Sequence, residues 1–331
     1  MPIAANQLTA AVARLRAIPA AGFGAAPTLV EELAAFRAAA GLEQRILTKR
    51  DDAIPFAFGG NKVRKLRYVI PRLLDEGADT VITCGGVQSN HARATAAACA
   101  VSGLACHIVA NGEPPDRLSG NALLNQLLGA TVEYVATRDD RTAAMTRALH
   151  GLRAEGRRPV VVPLGASTPV GALGFAAAIA ELLGQIEPPD VIVHASSSGG
   201  TTAGLVAGCV LHGIATRVVG ISADDPPDAI RTTVTAILEG MSDLLGVDRL
   251  AERGAARYEI DDAFVGAGYG VPSPASVEAQ QLAIRTSGMF TDHTYTAKAL
   301  AGLVAWCRDG RIAPQSTVLF WHTGGQVALF A

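Results

Sequence analysis

Strand-length apolar runs and helix-period segments alternate along most of this chain, and such alternation admits few folds. Runs at 80–84, 105–110, 131–135 and 160–163 are followed in turn by helical patterns at 92–102, 121–128, 142–155 and 171–183. This order predicts βαβ units and a parallel sheet, since parallel strands need a crossover and a helix usually supplies it. The pattern resumes with a strand at 191–195, a helix from about Thr202, a strand at 217–222, helices over 276–286 and 296–308, and a last strand at 318–322. We find no repeat, low-complexity tract or linker.

A chain of 331 residues exceeds the ~250–300 residues at which single cores stop growing, so two lobes with a cleft between them are expected. The self-contained strand–helix units over 66–170 read as a smaller lobe, with 1–65 plus 171–331 forming a larger, discontinuous one. Apolar residues make up 49% of the chain and the formal net charge is −2. No broad basic surface is advertised, which disfavours nucleic acid as a partner. Five scattered cysteines with no C-x-x-C pair read as reduced core residues of a cytoplasmic protein. Met1 to Arg16 lacks the charged-then-apolar order of a signal peptide, and no window reaches the ~18 apolar residues of a membrane span.

Within this frame the stretch F-G-G-N-K-V-R-K-L, Phe58 to Leu66, presents Lys62 straight after two glycines and an asparagine. A flexible backbone there lets an amine reach a bound carbonyl, as a Schiff-base lysine must. Arg64 and Lys65 follow, and their charge together with desolvation is expected to lower the Lys62 pKa. A solvated basic helix start is the plain alternative. The second stretch, G-G-V-Q-S-N-H-A-R, carries Gln88, Ser89 and Asn90 directly after the run ending at Cys84. Small polar groups thus stand at the carboxyl end of a strand, where open α/β sheets bind ligands.

The segment A-S-S-S-G-G-T-T-A-G-L, Ala195 to Leu205, follows a strand and opens a helix. Backbone N–H groups and several hydroxyls around a helix start suit a phosphate, although a Ser/Thr-capped turn has the same composition. There is no P-loop lysine after it and no G-x-G-x-x-G, which disfavours ATP and NAD. Further turns occur at G-A-G-Y-G-V-P around Tyr269, at D-H-T-Y-T-A-K around Tyr295, and at W-H-T-G-G-Q around Thr323. The histidines show no metal-ligand spacing and no G-x-S-x-G elbow occurs, so neither a metal site nor a serine hydrolase is supported. His91 suits either a helix cap or a substrate contact.

Taken in order, these six motifs resemble the pyridoxal-phosphate enzymes of the D-cysteine desulfhydrase and 1-aminocyclopropane-1-carboxylate (ACC) deaminase family. The resemblance runs from about Lys49 to the C-terminus. It implies a tryptophan-synthase-β-like fold, fold type II, with two α/β lobes, pyridoxal 5'-phosphate in the cleft chiefly on the larger lobe, and a homodimer. It implies that Lys62 carries the cofactor and shuttles the α-proton, that Lys65 helps hold the phosphate, and that Asn90 bonds the phenolic oxygen. Ser198, Gly199, Gly200, Thr201 and Thr202 fall at the phosphate cup. Gln88, Ser89, Asn90 and His91 fall where the family grips the substrate carboxylate, Ser89 also being a proton-transfer candidate. Tyr295 matches the tyrosine near the cofactor ring, with Tyr269 as its catalytic neighbour.

Two positions discriminate within the resemblance. ACC deaminases have Glu after the helix-start tyrosine and Leu in the last glycine turn, where this chain has Thr296 and Thr323. Both threonines look like the desulfhydrase branch. A carboxylate at the pyridine nitrogen makes the ring a strong electron sink, whereas direct β-elimination needs less of one. The expected activity is therefore β-elimination from a small β-substituted amino acid, best D-cysteine, giving pyruvate, ammonia and sulfide. ACC deamination is the alternative, as are L-cysteate, 3-chloroalanine or diaminopropionate as substrates, or a protein that only binds and buffers the cofactor. G-G-Q-V-A replaces the family's G-G-x-P-A, which puts Gln326 near the expected specificity region.

Overall fold

The computed structural model describes residues 5–331; the first four residues of the N-terminal segment lie outside it. Ten strands form two sheets. The larger contains β1 (Val30–Glu32), β2 (Arg45–Arg50), β7 (Val191–Ser196), β8 (Arg217–Ser222), β9 (Tyr258–Asp261) and β10 (Thr317–His322), in the order β1-β2-β10-β7-β8-β9. Only β1 runs antiparallel within it. The smaller contains β3 (Thr80–Gly86), β4 (Ala105–Asn111), β5 (Thr131–Val135) and β6 (Pro159–Val161), all parallel, in the order β5-β4-β3-β6.

Both faces of the larger sheet are covered, as parallel sheets require. Alternating residues of its strands enter two cores. Ile192, Val218 and Leu319 pack with α7 (Pro169–Leu183), α8 (Gly200–Leu211) and α9 (Pro227–Leu245). Val193, Val219 and Phe320 face α11 (Pro274–Ser287) and α12 (Thr296–Arg308). In the smaller sheet Val81, Cys106 and Ile108 pack against α3 (Asn61–Asp75) and α4 (Asn90–Val101), while Val109 meets Ala144 of α6 (Arg141–Ala154) on the other face.

Small residues explain how close the helices come. An ideal Cβ on Gly174 of α7 would fall 2.2 Å from the Arg64 carbonyl oxygen of α3, and one on Gly204 of α8 would fall 2.3 Å from that of Ala172. Stacked this tightly, α3, α7 and α8 fix the base from which Lys62 projects. The lobe boundary expected between residues 65 and 66 falls inside α3. Its Leu66, Ile70 and Leu73 pack toward the smaller sheet, whereas Tyr68 joins the core of the larger one.

The alternation in the sequence corresponds to the strands and helices from β3 to β8 and to α11, α12 and β10, with ends differing by a few residues. The pattern gave no element for 5–50, although α1 (Ala5–Ala17), α2 (Ala34–Ala39), β1 and β2 lie there. It also passed over α3, α9, α10 (Leu250–Ala255) and β9. Short strands and a helix opening on consecutive prolines carry weak periodic signal, and burial against the larger sheet decides them. Among the described residues no helix is long and apolar enough to cross a membrane.

Candidate active site

A cavity of about 340 Å³ lies beyond the carboxyl ends of strands from both sheets, reached by Gly86, Asn111, Ser196, Asp224 and Thr323. This volume falls in the ordinary range for small-ligand sites. Lys62 projects into it from the first turn of α3.

The glycines before Lys62 act as a fixed turn rather than a flexible hinge. Gly59 and Gly60 adopt φ of 64° and 99°, and a Cβ on Gly59 would fall 2.5 Å from the Asp52 carbonyl oxygen. The Gly60 N–H donates to the Asp51 carbonyl at 2.7 Å and the Asn61 N–H to that of Thr323 at 3.0 Å. The Asn61 side chain donates to Thr201 Oγ1 at 3.0 Å, joining the starts of α3 and α8. No described residue bonds the Lys62 amine, and desolvation brings its pKa down to about 8.

Arg64 does not contribute to that depression. It turns away into a buried ion cluster, donating to both oxygens of Asp51 at 2.7 and 2.8 Å and to Glu181 at 2.8 Å. Trp321 donates to Asp51 at 2.7 Å and Lys49 to Glu181 at 2.6 Å. Burial pushes the Glu181 carboxyl up, but Arg64 and Lys49 outweigh it and hold the group at about 2. The second expected neighbour, Lys65, is buried and donates to the Gly165 carbonyl at 3.1 Å and to Ser167 Oγ at 3.2 Å. Desolvation, then the Lys62 charge, lowers its pKa well below the lysine range.

At the start of α8, Gly199 takes the left-handed conformation as N-cap. Ser198 Oγ lies 2.8 Å from Ser167 Oγ, which accepts from the Gly200 N–H at 3.2 Å. Ser198, Gly199 and Thr201 line the cavity, whereas Gly200 and Thr202 lie behind it. Thr202 Oγ1 is held by Ser196 Oγ at 3.0 Å and His194 Nε2 at 3.2 Å. The reason is local. His194 Nδ1–H donates to the Ala195 carbonyl at 2.9 Å, leaving Nε2 as the acceptor for Thr202.

The Gly85–His91 turn divides in the same way. Ser89 caps α4, its Oγ accepting from the Ala92 N–H at 3.2 Å, so its own proton remains available to the cavity it lines. Asn90 Oδ1 accepts from Asn121 at 2.9 Å, which leaves the Asn90 amide N–H groups as donors beside the cavity. Gln88 points elsewhere: its Oε1 accepts from the Asn121 N–H at 2.8 Å and its Nε2 donates to the Ser119 carbonyl. His91 touches the cavity wall, but both ring nitrogens are engaged. Thr83 donates to the Val162 carbonyl and so accepts from His91 Nε2–H at 2.8 Å, while Nδ1 faces Thr95 Oγ1 at 3.4 Å. Burial, with the charges of Lys62 and Lys65, pushes its pKa well down; it is a neutral floor residue.

On the opposite wall the Tyr269 and Tyr295 hydroxyls lie 2.5 Å apart. Burial raises both phenols, Tyr295 well above its usual range. Lys298, fully buried, donates to the Val265 and Gly268 carbonyls at 2.8 Å and so anchors the turn bearing Tyr269. Thr323 lines the cavity. Thr296 does not: its hydroxyl donates to Asp292 Oδ1 at 2.7 Å and accepts from the Asp292 N–H at 2.9 Å. Gln326 also lies off the cavity, donating to the Asp52 carbonyl at 3.0 Å. Asn111, Arg138, Arg141, Asp224 and Asp225 complete the mouth, none of them anticipated. Each follows the carboxyl end of a parallel strand, the position that should have drawn attention.

The chain matches the pyridoxal-phosphate dependent enzyme family over residues 23–324, and it belongs to that family. It is 37% identical to an ACC deaminase of Burkholderia cenocepacia, over 92% of this chain and 94% of the relative. It is 36% identical to a D-cysteine desulfhydrase of Salmonella typhimurium, over 96% and 97% of the two chains. Among solved structures it is similar to an ACC deaminase homologue, with TM-score 0.89, 32% identity and coverage of 97% and 96%. A threonine deaminase of Solanum lycopersicum shares the fold at TM-score 0.69 and 18% identity, covering 98% and 86% of the two chains. The protein is thus a pyridoxal-phosphate-dependent enzyme of fold type II.

The residues present fit that cofactor. Lys65 is a buried amine with no carboxylate partner among the described residues, beside Ser167, Ser198 and the first N–H groups of α8. A Cβ on Gly200 would fall 2.7 Å from Ser167 Oγ and 2.9 Å from Lys65 Nζ, so this cradle tolerates no side chain there. An unpartnered amine, Lys62, stands over it.

Proposed function

We propose that the protein catalyses β-elimination from a small β-substituted amino acid, with D-cysteine the leading substrate: D-cysteine and water give pyruvate, ammonia and hydrogen sulfide. Lys62 is assigned to hold the cofactor and to move the substrate α-proton. Lys65, Ser198, Gly199 and Thr201 hold its phosphate, and Asn90, oriented by Asn121, donates to its phenolic oxygen. The bound cofactor supplies an electron sink for the α-carbon. Ser89 and Thr323 offer hydroxyls to the substrate.

The observation that carries elimination is the protonated phenol pair. The Tyr269 and Tyr295 hydroxyls lie 2.5 Å apart on the cavity wall, and a phenol is un-ionised at neutral pH, so the pair can lend a proton to a departing group. A second observation supports the same direction. The cavity's carboxylates among the described residues are Asp224 and Asp225, both paired with Arg138. No cavity carboxylate is therefore left free to serve as the anionic partner that a stronger sink needs.

ACC deamination is the second reading, favoured by the names of the Burkholderia relative and of the similar structure. A cytoplasmic setting, supported by five buried free cysteines, and a homodimer belong to the same proposal. A panel of D- and L-cysteine, cysteate, 3-chloroalanine, diaminopropionate and ACC, scored for keto acid, tests it. Pyruvate from D-cysteine is expected, and 2-oxobutyrate from ACC alone would overturn elimination.

A further inference from the structure

Arg138 and Arg141 both line the cavity mouth, but their charges have different fates. Arg138 donates to Asp225 Oδ1 at 3.0 Å and lies 3.4 Å from Asp224, so two carboxylates answer it. Ser197 adds a donor to Asp224 at 3.2 Å. These carboxylates are thereby engaged and offer little to a cationic ligand.

Arg141 is held by a neutral group. Its Nε donates to Asn111 Oδ1 at 2.8 Å, and one terminal nitrogen bonds the same oxygen. Asn111 closes β4, so the guanidinium is fixed to a strand end instead of swinging free. No carboxylate pairs with Arg141 among the described residues, and its other terminal nitrogen makes no hydrogen bond there. Its charge lowers the Tyr269 phenol slightly, against the larger rise from burial and from Asp224 and Asp292. The mouth thus balances two arginines against two aspartates, but both aspartates pair with Arg138, and Arg141 is left as a fixed cation with no paired carboxylate among the described residues.

We propose that Arg141, oriented by Asn111, is a specificity residue that selects substrates whose β-substituent carries negative charge, such as a sulfonate, sulfinate or carboxylate. A guanidinium with free N–H donors bonds such oxyanions in a charge-assisted, directional way. The proposal rests on the elimination reading and narrows it: among eliminated β-substituents, those carrying an oxyanion gain a contact with Arg141 that the thiol of D-cysteine and the chloride of 3-chloroalanine do not make.

Two readouts on the holoenzyme test it separately. The first is binding of two amino acids whose β-substituents do not leave readily, aspartate and asparagine, followed by the change in the visible absorption band and in the thermal midpoint. Aspartate is expected to bind roughly 10- to 100-fold more tightly, the range of a hydrogen bond to a charged group. Arg141→Gln should abolish the preference, Arg141→Lys should keep part of it, and Asn111→Leu should weaken it by loosening the guanidinium. The second is the kcat/KM ratio for cysteate over 3-chloroalanine, which should fall by a similar factor in Arg141→Gln. Equal binding of aspartate and asparagine by the wild type, or a preference that survives Arg141→Gln, would overturn the proposal. If no compound yields keto acid yet aspartate is still preferred through Arg141, elimination fails and the anion subsite stands.

Discussion

Tyr269 and Tyr295 face each other across a 2.5 Å hydroxyl contact, their rings 78° apart and their centroids separated by 5.6 Å. One phenol must donate to the other, so the pair presents one remaining proton to the cavity. A phenol keeps its proton at neutral pH, and the upward shift of both groups moves its loss further into the alkaline range. Replacing Tyr295 by Phe should lower kcat for elimination by roughly 10²- to 10⁴-fold, the span of positioned acid catalysis. Steady-state kinetics with a thiol and a chloride leaving group checks this. The chloride needs no proton, so its loss should be much smaller, and equal losses would remove the acid role.

The Lys62 amine makes the second prediction. Its folded pKa is about 8 against an ordinary 10.5. Between those values the unfolded chain holds a proton that the folded apoprotein lacks, so folding becomes more favourable as pH rises through this window. Thermal midpoints of cofactor-free protein and of Lys62→Met should therefore converge or cross between pH 8 and 10, the wild type gaining. Cofactor reloading, which needs the free amine, should accelerate over the approach to pH 8. A flat reloading profile would contradict the depressed pKa.

Beneath the site, the Arg64 cluster ties α3 to β2, α7 and β10 through Asp51, Glu181, Lys49 and Trp321. Arg64→Met should destabilise the protein by about 3–5 kcal/mol, because Asp51 would be left buried without a cation, while Glu181 keeps Lys49. Denaturant unfolding measures it. Glu181 titrates at about 2 when folded against 4.5 ordinarily. Its contribution is complete above about 4.5 and is lost as pH falls toward 2. In Arg64→Met this acid-side dependence should shrink, with Lys49 still holding the carboxyl down.

Gly200→Ala tests the phosphate cradle. The new methyl would meet Ser167 Oγ and Lys65 Nζ at under 3 Å, and overpacking of this kind costs about 1–3 kcal/mol. The cofactor dissociation constant should rise correspondingly, by roughly 5- to 100-fold. Equilibrium reloading of the apoprotein reads this, and an unchanged constant would mean that the phosphate sits elsewhere.

Much of this site was legible because glycine turns and small polar residues at strand ends carry local signatures. Lys62, Lys65, Ser89, Asn90, Ser198, Gly199, Thr201, Tyr269, Tyr295 and Thr323 all reach the cavity. Gln88, Gly200, Thr202 and Thr296 share those motifs but turn away, and His91 reaches the wall with both nitrogens engaged. In each case the deciding partner is a specific hydrogen bond, such as Thr296 to Asp292 or Gln88 to Asn121, which a motif does not encode. Arg64 reads as a neighbour of Lys62 in sequence, yet its partner Glu181 is over a hundred residues away. The charged mouth residues Arg138, Arg141, Asp224 and Asp225 resemble solvated loops until two sheets bring them together. The fold followed the same rule: long periodic crossovers were readable, whereas the short edge strands β1 and β9, and β2 with its pairing to the distant β10, carry little local signal.

The central claim is that Lys62 alone carries the cofactor. Borohydride reduction of the holoenzyme followed by peptide mapping tests it most directly. The account predicts a single stable pyridoxyl adduct on Lys62, absent from Lys62→Ala together with the visible band. An adduct on Lys65 or Lys298 in the wild type, or one retained by Lys62→Ala with an unchanged band, would contradict it.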